Sequence, residues 1–286
     1  MANMSTLSKI GNGLGQNLAW SVIRYILLFI ALLYFVFPIY WILATSLKTP
    51  DEFIQSPPVY IPQEPHMRNY IRGLDTQGGL QALRDSLIIS VGTTALTLAI
   101  GAASAYSMAR YNTGGKNFAF WVLSQRMMPP VVIILPIFIL YRYVGLIDTY
   151  MGLILLYTVL NLPFAIWLSR SYIIEVPIEV EESAMIDGAS HFQVIRYITF
   201  PLAAAGLSVA TVFVFIFSWT EFLFALIITR NNVLPVTKLI ARFFTGQSNE
   251  WGTASAVSVV ATIPIIVLGL LIRKHFVRGL TMGAVK

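Results

Sequence analysis

Of 286 residues, 57% are hydrophobic and 11% charged, and the net charge is +6. A soluble domain carries roughly 25% charged residues, so this chain cannot cover itself with a watery surface, and lipid must solvate most of it. With no cysteine, disulfides, thiolate chemistry and Cys-based metal sites are excluded.

Charges mark membrane edges. Residues 1–20 read as a short polar leader at the surface, at most partly helical, ahead of a single membrane domain over 21–286. Tyr25–Leu47 is the first charge-free run, too long for a cleavable signal and followed by no small-residue cleavage site. Ser86–Ala109 is the second, and Asn117–Tyr141, with Arg126 alone, the third. Thr149–Ser169, Tyr197–Thr220 and Trp251–Ile272 complete the set. A spanning helix needs about 20 apolar residues, and a spanning strand about half that. The runs therefore predict an all-α membrane protein with six transmembrane helices, at about 24–46, 86–109, 117–141, 149–170, 201–229 and 252–273. Between the first two, Lys48–Asp85 holds five prolines and mixed charge. It reads as a structured loop with a short helix near Met67–Gly73.

An even number of spans puts both termini on one side. With the termini inside, ten Lys/Arg lie inside and eight outside, which favours cytoplasmic termini by the positive-inside rule. The basic residues sit at the ends of apolar runs without interleaved aromatics. That is membrane-flanking charge, so no nucleic-acid partner is expected. The three histidines, His66, His191 and His275, are too far apart for a metal-ligand spacing, and no metal site is expected.

The densest acidic stretch lies between two apolar runs. Glu175, Glu179, Glu181, Glu182 and Asp187 are five of the thirteen acidic residues, all in the loop 175–201. Pro177 suits a first helical turn, where the helix dipole favours the glutamates that follow. Gly188 can end that helix. Ser190 with Gln193 forms a capping-box pattern for a second helix, on which Phe192, Ile195 and Thr199 or Ile198 would share a face. Two short capped helices with an acidic rim and a small apolar face make a knob sized for a groove on another protein. A solvated linker is the plainer alternative.

Glu182-Ser183-Ala184, Asp187-Gly188-Ala189, Ile198 and Pro201 resemble the EAA motif of bacterial ABC importer permeases. Ser183 and Phe200 depart from it, where the family has Ala and Leu. Residues 144–155 (VGLIDTYMGLIL), 218–229 (SWTEFLFALIIT) and 279–286 (GLTMGAVK) are similar to the carbohydrate-uptake branch, specifically its smaller, maltose-type permease. The resemblance covers nearly the whole chain from about Ile26. It implies the type I ABC importer permease fold with a cytoplasmic coupling-helix loop, in a bacterial inner membrane. It also implies a second homologous permease, two ATP-binding subunits carrying ATP and Mg, a solute-binding protein and a carbohydrate substrate. Glu181, Glu182, Ala184, Asp187, Gly188, Ala189 and Phe192 are then the ATPase-coupling residues, and the C-terminal tail also reaches toward the ATPase.

The residues agree with that division of labour. No GxxxxGK[ST] loop is present, the only Gly-Lys being Gly115-Lys116. The chain therefore has no phosphate cradle, binds no cofactor of its own and is not an enzyme. Ionisable residues inside spans are functional candidates. Arg126 precedes Pro129 and Pro130, which should break the third helix, and broken helices in transporters often line a cavity. A structural kink with Arg126 snorkelling or paired inside the protein is the plainer alternative. Glu221, Asn161, Ser218 and Trp219 are further candidate pathway-lining residues. Gly101, Ala102, Ser104 and Ala105 suit close helix packing. An ion-coupled secondary transporter is the alternative function. It predicts internal repeats and acid or His relays within the membrane, and few ionisable residues are available for them.

Overall fold

The computed structural model describes residues 4–115, 117–245 and 250–282. Its regular elements are all helices, with no strand among these residues. Helix α1 (Met4–Ser46) runs unbroken, so the leader expected to be at most partly helical continues directly into the first span. From Trp20 to Phe37 its residues are exposed, as a lipid-facing helix requires. Two single-turn helices, α2 (Pro50–Phe53) and α3 (Arg68–Ile71), punctuate the loop that follows, and α3 falls where the short helix was expected.

The centre of the molecule is α4 (Gly79–Arg110) packed on α7 (Tyr150–Ile174). One face of α4 carries Ser86, Ser90, Thr93, Thr97, Gly101 and Ala105, spaced three or four apart and all buried. This is the helical repeat of a single face. Lipid tails are as apolar as leucine, so helices in a membrane associate by close van der Waals contact, and small residues permit it. Gly101 shows why: a Cβ there would lie 3.3 Å from that of Ala165 on α7.

The third span is broken. Helix α5 (Phe118–Ser124) ends in a 3₁₀ turn at Gln125–Met127, Met128 and Pro129 are extended, and α6 (Pro130–Tyr143) departs at 89°. The expected proline break is therefore a right-angle corner. After α7 come α8 (Ile178–Ile186), α9 (His191–Val194), a π-helical turn (Ile195–Thr199) and α10 (Phe200–Leu202). Helix α11 (Ala204–Thr220) then turns away by 79° from the segment His191–Leu202. The fifth span does not run on to Thr229. It stops at Thr220, Glu221 is extended, and α12 (Leu223–Ile228) restarts the chain. Helices α13 (Val236–Arg242) and α14 (Trp251–Met282) complete the fold. Among the described residues four helices are long and apolar enough to cross a membrane, or up to six segments if each bent pair counts as one.

One end of the bundle is fastened by Asp148 and Asp85. The Asp148 carboxylate accepts the backbone N–H groups of Arg230, Asn231, Asn232 and Val233 at 2.8, 3.0, 2.9 and 3.2 Å. Burial would raise its pKa, but these four donors outweigh burial and hold it below the ordinary value. Asp85 accepts from the Tyr150 hydroxyl and from the Leu234 N–H, and the Ser86 hydroxyl accepts from the Val236 N–H. These contacts pin the segment 230–236 across the ends of α4 and α7.

Candidate functional site

Two regions carry the candidate residues: the acidic knob at one end of the bundle and a cleft beside the broken third span.

The knob folds as its local sequence dictates. Helix α8 starts after Pro177 and closes at Gly188, whose φ of +90° lies in the region that glycine enters without steric cost. The N–H of Gly188 donates to the carbonyl of Met185, and that of Ala189 to the carbonyl of Ala184, so the last carbonyls of the helix are satisfied. Ser190 caps α9: its hydroxyl accepts the Gln193 N–H, and Gln193 Oε1 accepts the Ser190 N–H at 2.8 Å.

Glu182, Asp187 and Gly188 are exposed, and Ala184 and Ala189 are half-buried. Ile186 and Phe192 are 86% and 67% exposed. The knob therefore presents acidic groups and large apolar side chains together, away from its own bundle. The face expected to join Phe192, Ile195 and Thr199 is split: α9 leaves Phe192 exposed and buries Val194, and the π-helical turn that follows buries Thr199.

Glu181 does not belong to the exposed rim. It is 2% exposed, and its carboxylate forms a 2.7 Å ion pair with Arg110 of α4. Tyr106 and Thr199 donate their hydroxyls to the same carboxylate at 3.1 and 2.8 Å. No local pattern distinguishes Glu181 from Glu182, and the partners that do so lie on other helices.

The cleft, of ≈ 370 Å³, opens at the corner of the third span. Arg126, Pro130, Asn161 and Glu221 line it with Gln125, Tyr157 and Phe217. The Arg126 guanidinium lies 4.2 Å over the Phe217 ring and 5.3 Å from that of Phe164, a stacking contact that holds a cation against an apolar wall. Sequence reasoning missed this aromatic floor, because phenylalanines in an apolar span look like any others. Asn161 donates to the Tyr157 carbonyl at 2.8 Å and reaches the Ser218 hydroxyl at 3.4 Å. Ser218 thus stands behind Asn161 as a buried neighbour. Pro129 is exposed at the corner.

Glu221 is held by its own break. Its carboxylate accepts the Phe224 and Ala225 N–H groups at the start of α12 and the Tyr157 hydroxyl at 3.0 Å. Trp219 is not a lining residue. It is buried, stacks on Phe215, and donates its indole N–H to the Ala261 carbonyl of α14. The helical turn between Ser218 and Trp219 sends their side chains to different sides.

Residues 80–282 match the family described as "binding-protein-dependent transport system inner membrane component". The chain belongs to this family. The permease is 37% identical over 273 residues to the trehalose transport system permease protein SugB of Mycobacterium tuberculosis, covering 93% of this chain and 97% of that protein. It is 32% identical over 256 residues to the trehalose/maltose transport system permease protein MalG of Thermococcus litoralis, covering 88% and 91%. In fold it is similar to a chain from the crystal structure of a bacterial ABC transporter involved in the import of the acidic polysaccharide alginate. There the TM-score is 0.75 at 21% identity, over 91% of this permease and 98% of that chain. The chain is thus an all-α permease with the fold of an ABC importer membrane component. It supplies a transport pathway and no ATPase site.

Proposed function

We propose that this permease imports a carbohydrate, that a solute-binding protein delivers it, and that ATP hydrolysed with Mg on two separate ATP-binding subunits drives its passage. The exposed knob carries the reading. Glu182, Asp187, Gly188 and the apolar pair Ile186 and Phe192 turn outward on two capped helices, and a chain without a phosphate loop needs such a docking point to receive work. In this reading the knob and both termini are cytoplasmic, in a bacterial inner membrane. A second homologous permease completes the pathway. Residues Arg126, Pro130, Asn161 and Glu221 face the sugar, offering donors, a carboxylate and an aromatic wall to a hydroxyl-rich ring.

The test is gentle purification of the tagged permease from its native host, with partners identified by mass spectrometry. An ATPase and a second permease should come with it, and Asp187→Lys should lose the ATPase while keeping the second permease. Recovery of the chain alone, active in liposomes without ATP, would instead establish an ion-coupled secondary transporter.

A further inference from the structure

Helix α8 is exposed on nearly every side, and Glu181 is its one buried residue. A short helix held by a single side chain would normally be held by an aliphatic one, because burying a carboxylate costs free energy unless it is paired and fully hydrogen-bonded. Here it is both. Arg110 Nε and Nη2 donate to Glu181 Oε1 at 2.9 and 2.7 Å, and Thr199 donates to the same oxygen at 2.8 Å. Tyr106 donates to Oε2 at 3.1 Å. Arg110 Nη2 also donates to the Val176 carbonyl at 2.8 Å.

These partners come from three places. Tyr106 and Arg110 are one turn apart at the end of α4. Val176 follows the end of α7. Thr199 closes the π-helical turn just ahead of α11. Around them Ala105, Ile173 and Ala203 form a small buried apolar cluster, which keeps water from competing. A greasy contact would hold α8 near the bundle but leave it free to roll or slide. Four donors converging on one carboxylate fix its orientation as well.

We propose that Glu181, with Arg110, Tyr106 and Thr199, is the tie that makes α8 move as one body with the ends of α4, α7 and α11, so that displacement of the knob becomes displacement of the spans. This rests on the coupling reading above. In it Glu181 and Arg110 are positioning residues that touch neither ATPase nor substrate. The outward rim (Glu182, Asp187) grips, and the inward carboxylate transmits.

A buried ion pair is weak evidence for stability, since apolar replacement of both partners often leaves a protein as stable or more so. That separates transmission from folding. The test uses the assembled importer, with its ATPase and second permease, in proteoliposomes, reading uptake and ATP hydrolysis together. In Glu181→Leu/Arg110→Met the apolar contact is kept and the directional bonds are lost. The importer should still assemble and hydrolyse ATP, with uptake per ATP falling by about tenfold, within the usual range of coupling between sites. Tyr106→Phe/Thr199→Val removes two hydroxyls without leaving a charge unpaired and should lower the same ratio by a smaller factor. If the first pair fails to assemble, the second decides. An unchanged uptake per ATP in either assembled variant overturns the tie. Asp187→Lys in the same assay reads the docking surface separately: normal ATPase retention and uptake there would sink the coupling reading itself, whatever the tie variants do.

Discussion

Asp148→Asn isolates what one carboxylate does for the loop beyond α12. Asp148 has a φ of +59°, a conformation asparagine also tolerates, so the exchange leaves the backbone unstrained. Oδ1 accepts from Arg230 and Val233, and Oδ2 from Asn231 and Asn232. An amide oxygen can replace one carboxylate oxygen, but the amide nitrogen then faces two N–H donors. Two hydrogen bonds to a charged acceptor are lost, each worth about 1.5–3 kcal/mol. Arg230, Asn231 and Asn232 are exposed, so water recovers part of this and the low end applies: about 3 kcal/mol, or roughly 150-fold in an opening equilibrium. The assay is hydrogen–deuterium exchange of a peptide spanning 229–234 in lipid nanodiscs, with an α4 peptide as control. Exchange of the four amides should accelerate by that order while α4 stays unchanged. Acceleration below about threefold would refute the clamp, because it corresponds to well under the strength of one such bond.

Other perturbations follow from the same geometry. Since the folded Asp148 carboxyl lies below its ordinary value of 3.8, its contribution is complete above that value and is lost only as pH falls through the lower folded one. Relative protection of residues 230–233 should therefore stay constant from about pH 5 to 8. Gly206→Ala drives a Cβ into the base of the Tyr172 ring. Such overpacking between α7 and α11 costs about 1–3 kcal/mol or more, and the melting midpoint followed by tryptophan fluorescence should fall. Adding Tyr172→Ala should restore part of the loss, and a Gly206→Ala midpoint equal to the parent's would contradict the contact. Ser190→Ala removes a helix cap worth about 1 kcal/mol. It should speed amide exchange over α9 without altering membrane insertion. Arg72→Gln breaks a 2.7 Å pair with Glu250 that is half exposed on the arginine side, so its effect on the midpoint should stay within that of a surface pair, under about 1 kcal/mol.

The acidic knob was largely legible beforehand because its signals are local. A proline, a positive-φ glycine and a Ser–Gln capping box act within a few residues, and α8 and α9 form where those residues place them. The cleft was legible only in part. Arg126 and Glu221 stood out as charges among apolar neighbours, yet the Phe217 wall and the Tyr157 hydroxyl that meet them come from other helices. Trp219 was misplaced because a single span does not say which side faces α14.

Composition and local pattern alone place the chain in lipid, count its apolar segments, locate the break in the third and put an acidic two-helix knob between the fourth and fifth. Each follows from solvation or backbone preference acting over a few to about twenty residues. Which acidic residues are exposed and which are anchors depends on how the helices pack. Glu181 and Glu182 are neighbours with the same chemistry, but only one meets Arg110, 71 residues away. Asp148 meets its four donors more than 80 residues on. A carboxylate can be buried only where donors converge on it, and that convergence exists only once α4, α7 and α11 have packed.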